Sequence, residues 1–68
     1  MTREDLEAIR TKLGMTQEEM ADLLQVDYVG YKRYATGGRA VPRYIARSAQ
    51  AMAYLHDRGQ LKHFLKGL

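Results

Sequence analysis

The 68-residue chain has no cysteine and no tryptophan, one proline and two histidines. The lack of cysteine excludes disulfide bonds and thiolate metal sites. His56 and His63 lie seven positions apart without a ligand cluster near them, so we expect surface histidines, no metal and no cofactor. Since long apolar runs are also lacking, we expect neither a membrane span nor a signal peptide, and therefore a soluble intracellular protein.

The length predicts one domain over residues 1–68, in which a single hydrophobic core is marginal. Without disulfides or metals, tight helix packing or oligomerisation has to supply the remaining stability. The net charge is +3 and the sequence pI is about 9.5. Five basic residues and no acidic residue lie between Gly30 and Arg47, whereas the first five acidic residues all fall by Glu19. This asymmetry predicts one electropositive surface, which permits nucleic-acid binding.

Apolar residues recur at helical spacing along the chain, and no segment alternates as a strand does. The pattern predicts an all-α fold, a compact bundle of about five short helices. The five apolar stripes are Leu6, Ile9 and Leu13; Met20, Leu23 and Leu24; Tyr31 and Tyr34; Ile45, Ala49, Met52 and Leu55; and Leu61, Phe64, Leu65 and Leu68.

Capping residues mark the helix starts. Thr2 and Thr16 are each followed three positions later by an acidic residue, Asp5 or Glu19, which is the capping-box spacing, and Asp27 is a third N-cap candidate. An apolar residue precedes each cap and is spaced to contact another inside the helix. The predicted contacts are Met1 with Leu6, Met15 with Met20, and Val26 with Tyr31.

Glycine and proline mark the helix ends and the start of helix four. Gly14 predicts the end of helix one, Gly37 and Gly38 predict that of helix three, and Gly59 separates helix four from the last segment, while Pro42 fits the first turn of helix four. Helix two is expected to end near Leu24. Asp27 then begins helix three only a few residues later, and so short a link forces a sharp helix-turn-helix angle.

The run TQEEMADLLQVDYVGYKRYATG, residues 16–37, resembles the helix-turn-helix of the Cro-type (lambda and 434 repressor-like, XRE) family. The similarity covers roughly the first fifty residues. More loosely, the segment GGRAVPRYIARSAQAMAYL is similar to small phage regulators, including the anti-CRISPR-associated repressors. The positions that match the Cro-type helix-turn-helix are residues 16–19, Ala21, Val26, Tyr31, Tyr34 and Gly37.

Two positions depart from the family pattern. Gln25 stands where the family usually has glycine, so either it takes a left-handed conformation, at a cost of about 1 kcal/mol, or the turn differs. Ala35 stands where the family tends to have a glutamate paired with an arginine on helix one. Arg10 therefore lacks that partner, and we expect it to face a phosphate or Asp22 instead.

The resemblance implies that helix three enters the major groove. Tyr31 and Tyr34 are expected to fill the angle against helix two. On the outward side, Arg33 is the candidate for guanine, Val29 for a thymine methyl, and Tyr28 for a phosphate or a thymine methyl. Lys32 is predicted to contact a phosphate. Without the resemblance, these outward residues would be read as an ordinary solvated surface.

Backbone contacts are predicted at two helix starts. The resemblance implies that the start of helix two, with Thr16 and Gln17, points at a phosphate, and Gln17 is also placed to buttress Tyr28. Arg39 and Arg43 are candidates for backbone or minor-groove contact. Arg43 opposes the dipole of helix four and repels Arg47 four positions on, and a phosphate would relieve both penalties. Arg47 is assigned equally to DNA or to a generic basic surface.

Gly30 is unfavourable within helix three, which indicates close approach either to helix two or to the DNA backbone. Residues 60–68 form a short C-terminal segment that is not stable as a free helix. It must close the core of its own domain or pack on a second copy. The end of helix four, with Ala51 and Tyr54, is the other candidate dimer surface. The dimer candidates on the segment are Leu61, Phe64, Leu65 and Leu68.

The leading hypothesis is a sequence-specific DNA-binding regulator of phage or mobile-element type: a homodimeric repressor, controlled by its concentration, that binds a palindromic operator and occludes a promoter, including its own. The partners are then double-stranded DNA and a second copy, with no membrane and no small-molecule ligand. The alternative is an antitoxin or adaptor that binds a partner protein, with DNA binding secondary. An enzyme is not expected, because the sequence lacks a cysteine nucleophile, a glycine-rich phosphate loop and a metal cluster.

Overall fold

A computed structural model describes residues 1–67 of the chain, and Leu68 lies outside the described residues. All regular structure in residues 1–67 is helical, which confirms the predicted all-α fold. The helices are α1 (Arg3–Leu13), α2 (Gln17–Leu24), α3 (Tyr28–Thr36), α4 (Arg43–Asp57) and α5 (Leu61–Lys66). No helix of this described part is long and apolar enough to cross a membrane.

The starts of α1 and α2 follow from local sequence. Thr2 and Thr16 form capping boxes: each hydroxyl accepts from the third helical N–H, and Asp5 or Glu19 accepts from the cap N–H in return. Asp27 holds the N-cap position of α3, but its side chain makes no capping hydrogen bond with any described residue. The boundary predicted at Asp27 is therefore confirmed, whereas the side-chain cap expected there is absent among the described residues.

Left-handed residues end the first three helices. Gly14 and Gly37 take φ values of +70° and +84° at the C-caps of α1 and α3. Gln25, with φ 59° and ψ 43°, takes the same conformation after α2, so the usual turn is kept although the glycine is replaced. Its side-chain Nε2 donates to the Asp22 carbonyl oxygen at 2.9 Å. Gly59, with φ +69°, separates α4 from α5.

The core lies where α1, α2, α3 and α4 meet, with α1 packed on α3 and α4, and α2 packed on α3 and α4. Tyr31 and Tyr34 are buried in it, as predicted. Met15 and Val26 pack against the core, whereas Met1 is exposed. The other buried residues of this cluster are Leu6, Met20, Ala21, Leu24, Ile45 and Ala49.

The C-terminal helix α5 packs on α4. Leu61 is only 8% exposed and Leu65 is half-buried, so part of the predicted apolar stripe is used inside the domain. Phe64 remains 40% exposed. The fourth residue of that stripe, Leu68, is the one outside the described residues.

Candidate nucleic-acid interface

The two sides of α3 differ in burial. Tyr31 and Tyr34 face the core, while the exposed side carries Tyr28, Val29, Lys32 and Arg33. The Lys32 ammonium lies 4.7 Å from the centre of the Tyr28 ring, so these two exposed residues form a cation–π pair along the helix. The four residues predicted to face a groove therefore share one solvent-exposed surface.

Glu7 fixes the inner side of α3 by a hydrogen-bond network. Its carboxylate accepts from the Tyr31 hydroxyl at 2.7 Å, from Arg10 Nε at 2.9 Å and from Gln17 Nε2 at 3.0 Å. Arg10 Nη1 also donates to the Met15 carbonyl oxygen at 2.7 Å. One carboxylate on α1 thus binds the first residue of α2 and the buried tyrosine of α3.

This network corrects one of the two expectations for Arg10, which pairs with Glu7 and not with Asp22. Glu7 thus supplies from α1 the acidic partner for Arg10 that Ala35 cannot provide. The i, i+3 spacing of Glu7 and Arg10 was visible in the sequence. The hydrogen bonds from Tyr31 and Gln17 depend on tertiary packing and could not be predicted from the sequence.

The network also shifts the protonation of its members. Partial burial alone would raise the pKa of Glu7, but the hydrogen bonds from Arg10, Tyr31 and Gln17 outweigh it and hold that pKa below its usual value. Burial and the adjacent Glu7 carboxylate raise the pKa of the Tyr31 phenol well above its usual value. At neutral pH the site therefore contains an ionised Glu7 and a neutral Tyr31.

The start of α2 places Thr16 and Gln17 beside this network. The Thr16 hydroxyl accepts from the Glu19 N–H at 3.1 Å, and the Gln17 amide is held by Glu7. Gln17 is thus oriented towards α1 in the free protein. Glu18 and Glu19 lie in the same first turn, so two carboxylates accompany the free N–H groups of this helix start.

The loop after α3 carries the next basic residues. Arg3 Nη1 donates to the Thr36 carbonyl oxygen at 2.7 Å, which ties the end of α3 to the start of α1. The Arg39 N–H donates to the Arg33 carbonyl oxygen at 3.2 Å, so the loop folds back along the last turn of α3. Arg33 and Arg39 are both exposed on this connected segment.

Pro42 is the N-cap residue of α4, and Arg43 begins the helix. Within the described chain, the first turn of α4 contains no acidic residue, so nothing in it offsets the charge of Arg43 or the positive end of the helix dipole. Arg43 and Arg47 are both exposed. The basic residues on α3, on the following loop and at the start of α4 are therefore all exposed, and their joining into one electropositive surface stays a prediction.

Gly30 is not required by packing. A Cβ atom built on it would have no described atom within 4 Å, apart from its chain neighbours and its own helix backbone, and its φ is not positive. The expectation of a close approach to α2 is therefore wrong. Of the two explanations for this glycine, approach to a DNA backbone remains a prediction.

Comparison with known families identifies this arrangement. The family model described as helix-turn-helix matches residues 6–45, which is 40 of the 68 residues. The chain therefore belongs to the helix-turn-helix family of the Cro and lambda-repressor (XRE) type, and it is a DNA-binding regulator of that type. Searches of the curated proteins and of the solved structures gave no match.

Proposed function

We propose that the protein is a homodimeric repressor that binds a palindromic operator and occludes a promoter, its own included. The observation that carries the proposal is the exposed side of α3. Its four residues there, Tyr28, Val29, Lys32 and Arg33, are all open to solvent. Behind them, Tyr31 is anchored to Glu7 and fixes the orientation of the helix. A rigidly held helix with exposed polar and aromatic side chains suits groove recognition.

The side chains divide by role. Arg33 reads guanine through its two-pronged guanidinium, and Val29 meets a thymine methyl. Tyr28 packs beside them, where Lys32 already stacks on its ring. Lys32 itself contacts a phosphate as the helix enters the groove.

Backbone contacts come from the neighbouring elements. Arg39 and Arg43 contact phosphates or the minor groove, because both are exposed and a phosphate offsets the unfavourable charge at the start of α4. Thr16 and Gln17 contact a phosphate at the start of α2. For Gln17, this requires the amide to use a hydrogen that Glu7 does not hold.

Two arginine variants test this division. Arg33→Ala is expected to lower operator affinity by about 1–3 kcal/mol and to leave affinity for random DNA nearly unchanged. Arg43→Ala is expected to weaken binding to both DNAs and to reduce the slope of log affinity against log salt by about one. The operator is first obtained by selecting bound sequences from random duplexes.

Lys62→Ala is the matched control, because it removes one exposed positive charge from α5, outside the proposed interface. It should leave both affinities and the salt slope close to those of the unmodified chain. Equal losses on operator and random DNA for Arg33→Ala and Arg43→Ala would contradict the assigned roles. Selection that yields no preferred sequence would contradict sequence-specific binding itself.

A further inference from the structure

One face of α4 is exposed and has an unusual composition. Tyr44, Arg47, Ala51 and Tyr54 of α4 and Arg58 at its C-cap follow one another at intervals of three, four, three and four residues, which places them on one side of the helix; we call them the α4 stripe. All five are exposed, with Tyr44 at 67% and Tyr54 at 53%. The buried residues of α4, Ile45 and Ala49, lie on the opposite side.

Two exposed tyrosines aligned on one face of a helix indicate a binding surface, whereas a single exposed tyrosine does not. Tyrosine and arginine are, with tryptophan, the residues enriched among those that dominate binding at protein interfaces. On this stripe the two types already attract one another, because the Arg58 guanidinium carbon lies 4.7 Å from the centre of the Tyr54 ring. The stripe therefore has the composition and the spacing of a helix face that packs on another helix.

We propose that the α4 stripe is the surface through which two copies of the chain associate, with the two α4 helices antiparallel about a two-fold axis at Ala51. This inference rests on the proposed homodimeric function and names its interface. In that arrangement Arg47 lies opposite the partner's Tyr54, and Tyr44 lies opposite the partner's Arg58. The small side chain of Ala51 at the axis lets the two helices approach closely.

The pairing explains how a basic face can contact itself. A two-fold contact repeats the same surface on both copies, so a uniformly basic face would repel itself. Across the two-fold axis, each arginine of the stripe in one copy lies opposite a tyrosine of the stripe in the other copy. Each guanidinium then meets an aromatic ring, which is a favourable cation–π contact, and the exposed area of both tyrosines is buried.

The C-terminal helix offers less free surface. Leu61 is buried and Leu65 is half-buried within the same domain, which leaves Phe64 as the exposed apolar residue among those described in α5. A helix of six residues also presents a shorter contact than the fifteen residues of α4. The α4 stripe is therefore the better partner for a second copy than the apolar stripe of α5.

Charge variants at the axis test the proposal in the absence of DNA. Ala51→Glu and Ala51→Lys each place two like charges at the two-fold axis, and each should weaken dimerisation at least tenfold by sedimentation equilibrium. An equimolar mixture of the two should form heterodimers at concentrations where each alone is monomeric. Ala8→Glu is the matched control, because it makes the same change at an exposed alanine of α1 and should leave dimerisation unchanged.

Three results would overturn the proposal. The first is a dimer that Ala51→Glu leaves intact and Phe64→Ala dissociates, which would place the interface on α5. The second is a wild-type chain that stays monomeric at every concentration measured. The third is an Ala51→Glu variant that dimerises normally but loses affinity for single-stranded oligonucleotides, which would assign the stripe to nucleic acid. Affinity for a half-site duplex, measured on the Ala51→Glu variant and its Arg33→Ala derivative, tests DNA recognition separately.

Discussion

At the scale of single residues, Glu7 is the group whose role depends most on the fold. A glutamine in its place keeps the shape but cannot accept from Arg10, Gln17 and Tyr31 together. Glu7→Gln should therefore lower the free energy of unfolding at pH 7 by about 1–3 kcal/mol, measured by urea denaturation. Glu18→Gln, a change at an exposed carboxylate of α2, is the control and should have little effect.

The same variant has a defined pH dependence. The pKa of Glu7 is lowered by folding, so its stabilising effect is fully present above the unfolded pKa, near 4.3, and is lost as pH falls through the lower folded value. The stability difference between wild type and Glu7→Gln should therefore narrow below about pH 4. A difference that stays constant from pH 6 to pH 3 would show that Glu7 acts by packing alone.

Gly30 permits a matched comparison between stability and DNA affinity. Gly30→Ala should raise the free energy of unfolding by about 0.5–1 kcal/mol, because the Cβ enters open space in an ordinary helical backbone. Gly14→Ala also enters open space, but at φ +70°, and should be destabilising. If Gly30 allows the DNA backbone to approach α3 closely, Gly30→Ala should bind the operator more weakly although it is more stable. An unchanged operator affinity would contradict this role for Gly30.

At the scale of helices, the sequence predicted what is decided locally. Both capping boxes and the helix ends at Gly14 and Gly37 are formed by residues within one turn of each other. The contact from Arg3 to the Thr36 carbonyl joins positions 33 residues apart, and no local pattern indicated it. The Asp27 side chain makes no capping hydrogen bond with any described residue, although aspartate is favoured at N-caps.

The turn after α2 carries a prediction at this scale. Gln25 takes a left-handed conformation that costs a non-glycine residue about 1 kcal/mol. Gln25→Gly should remove this cost and raise the free energy of unfolding by about 0.5–1 kcal/mol, measured by thermal or urea denaturation. Gln50→Gly, inside α4, is the control and should destabilise by about 1 kcal/mol. A loss at Gln25 equal to that at Gln50 would mean that its side-chain bond to Asp22 outweighs the strain.

At the scale of the whole molecule, the order and number of the helices could be predicted because each apolar stripe marks one buried face. The candidate site was less accessible to prediction. Its basic residues and the outward face of α3 follow from helical spacing, and the structure finds them exposed. The Glu7 network joins α1, α2 and α3 through contacts that depend on how the helices pack, and spacing within one helix carries no information about them.

The role of the C-terminal segment also could not be predicted from helical spacing, because its apolar stripe was compatible with closing the core or with joining a second copy. The burial of Leu61 against its own domain decides between these for that residue. Leu61→Ala should lower the free energy of unfolding by about 2 kcal/mol, because it leaves a cavity beside α4. Lys66→Ala, at an exposed position of the same helix, should change it little.

Protein concentration separates the two roles of Leu61. A residue that closes its own domain stabilises monomer and dimer alike, so the loss in Leu61→Ala should be the same at low and at high protein concentration. A residue buried only between copies stabilises the folded state by mass action, and its loss would be large at high concentration and vanish on dilution. Urea denaturation of wild type and Leu61→Ala across a hundredfold range of concentration measures this. A loss of unfolding free energy that disappears at low protein concentration would place the dimer contact on α5.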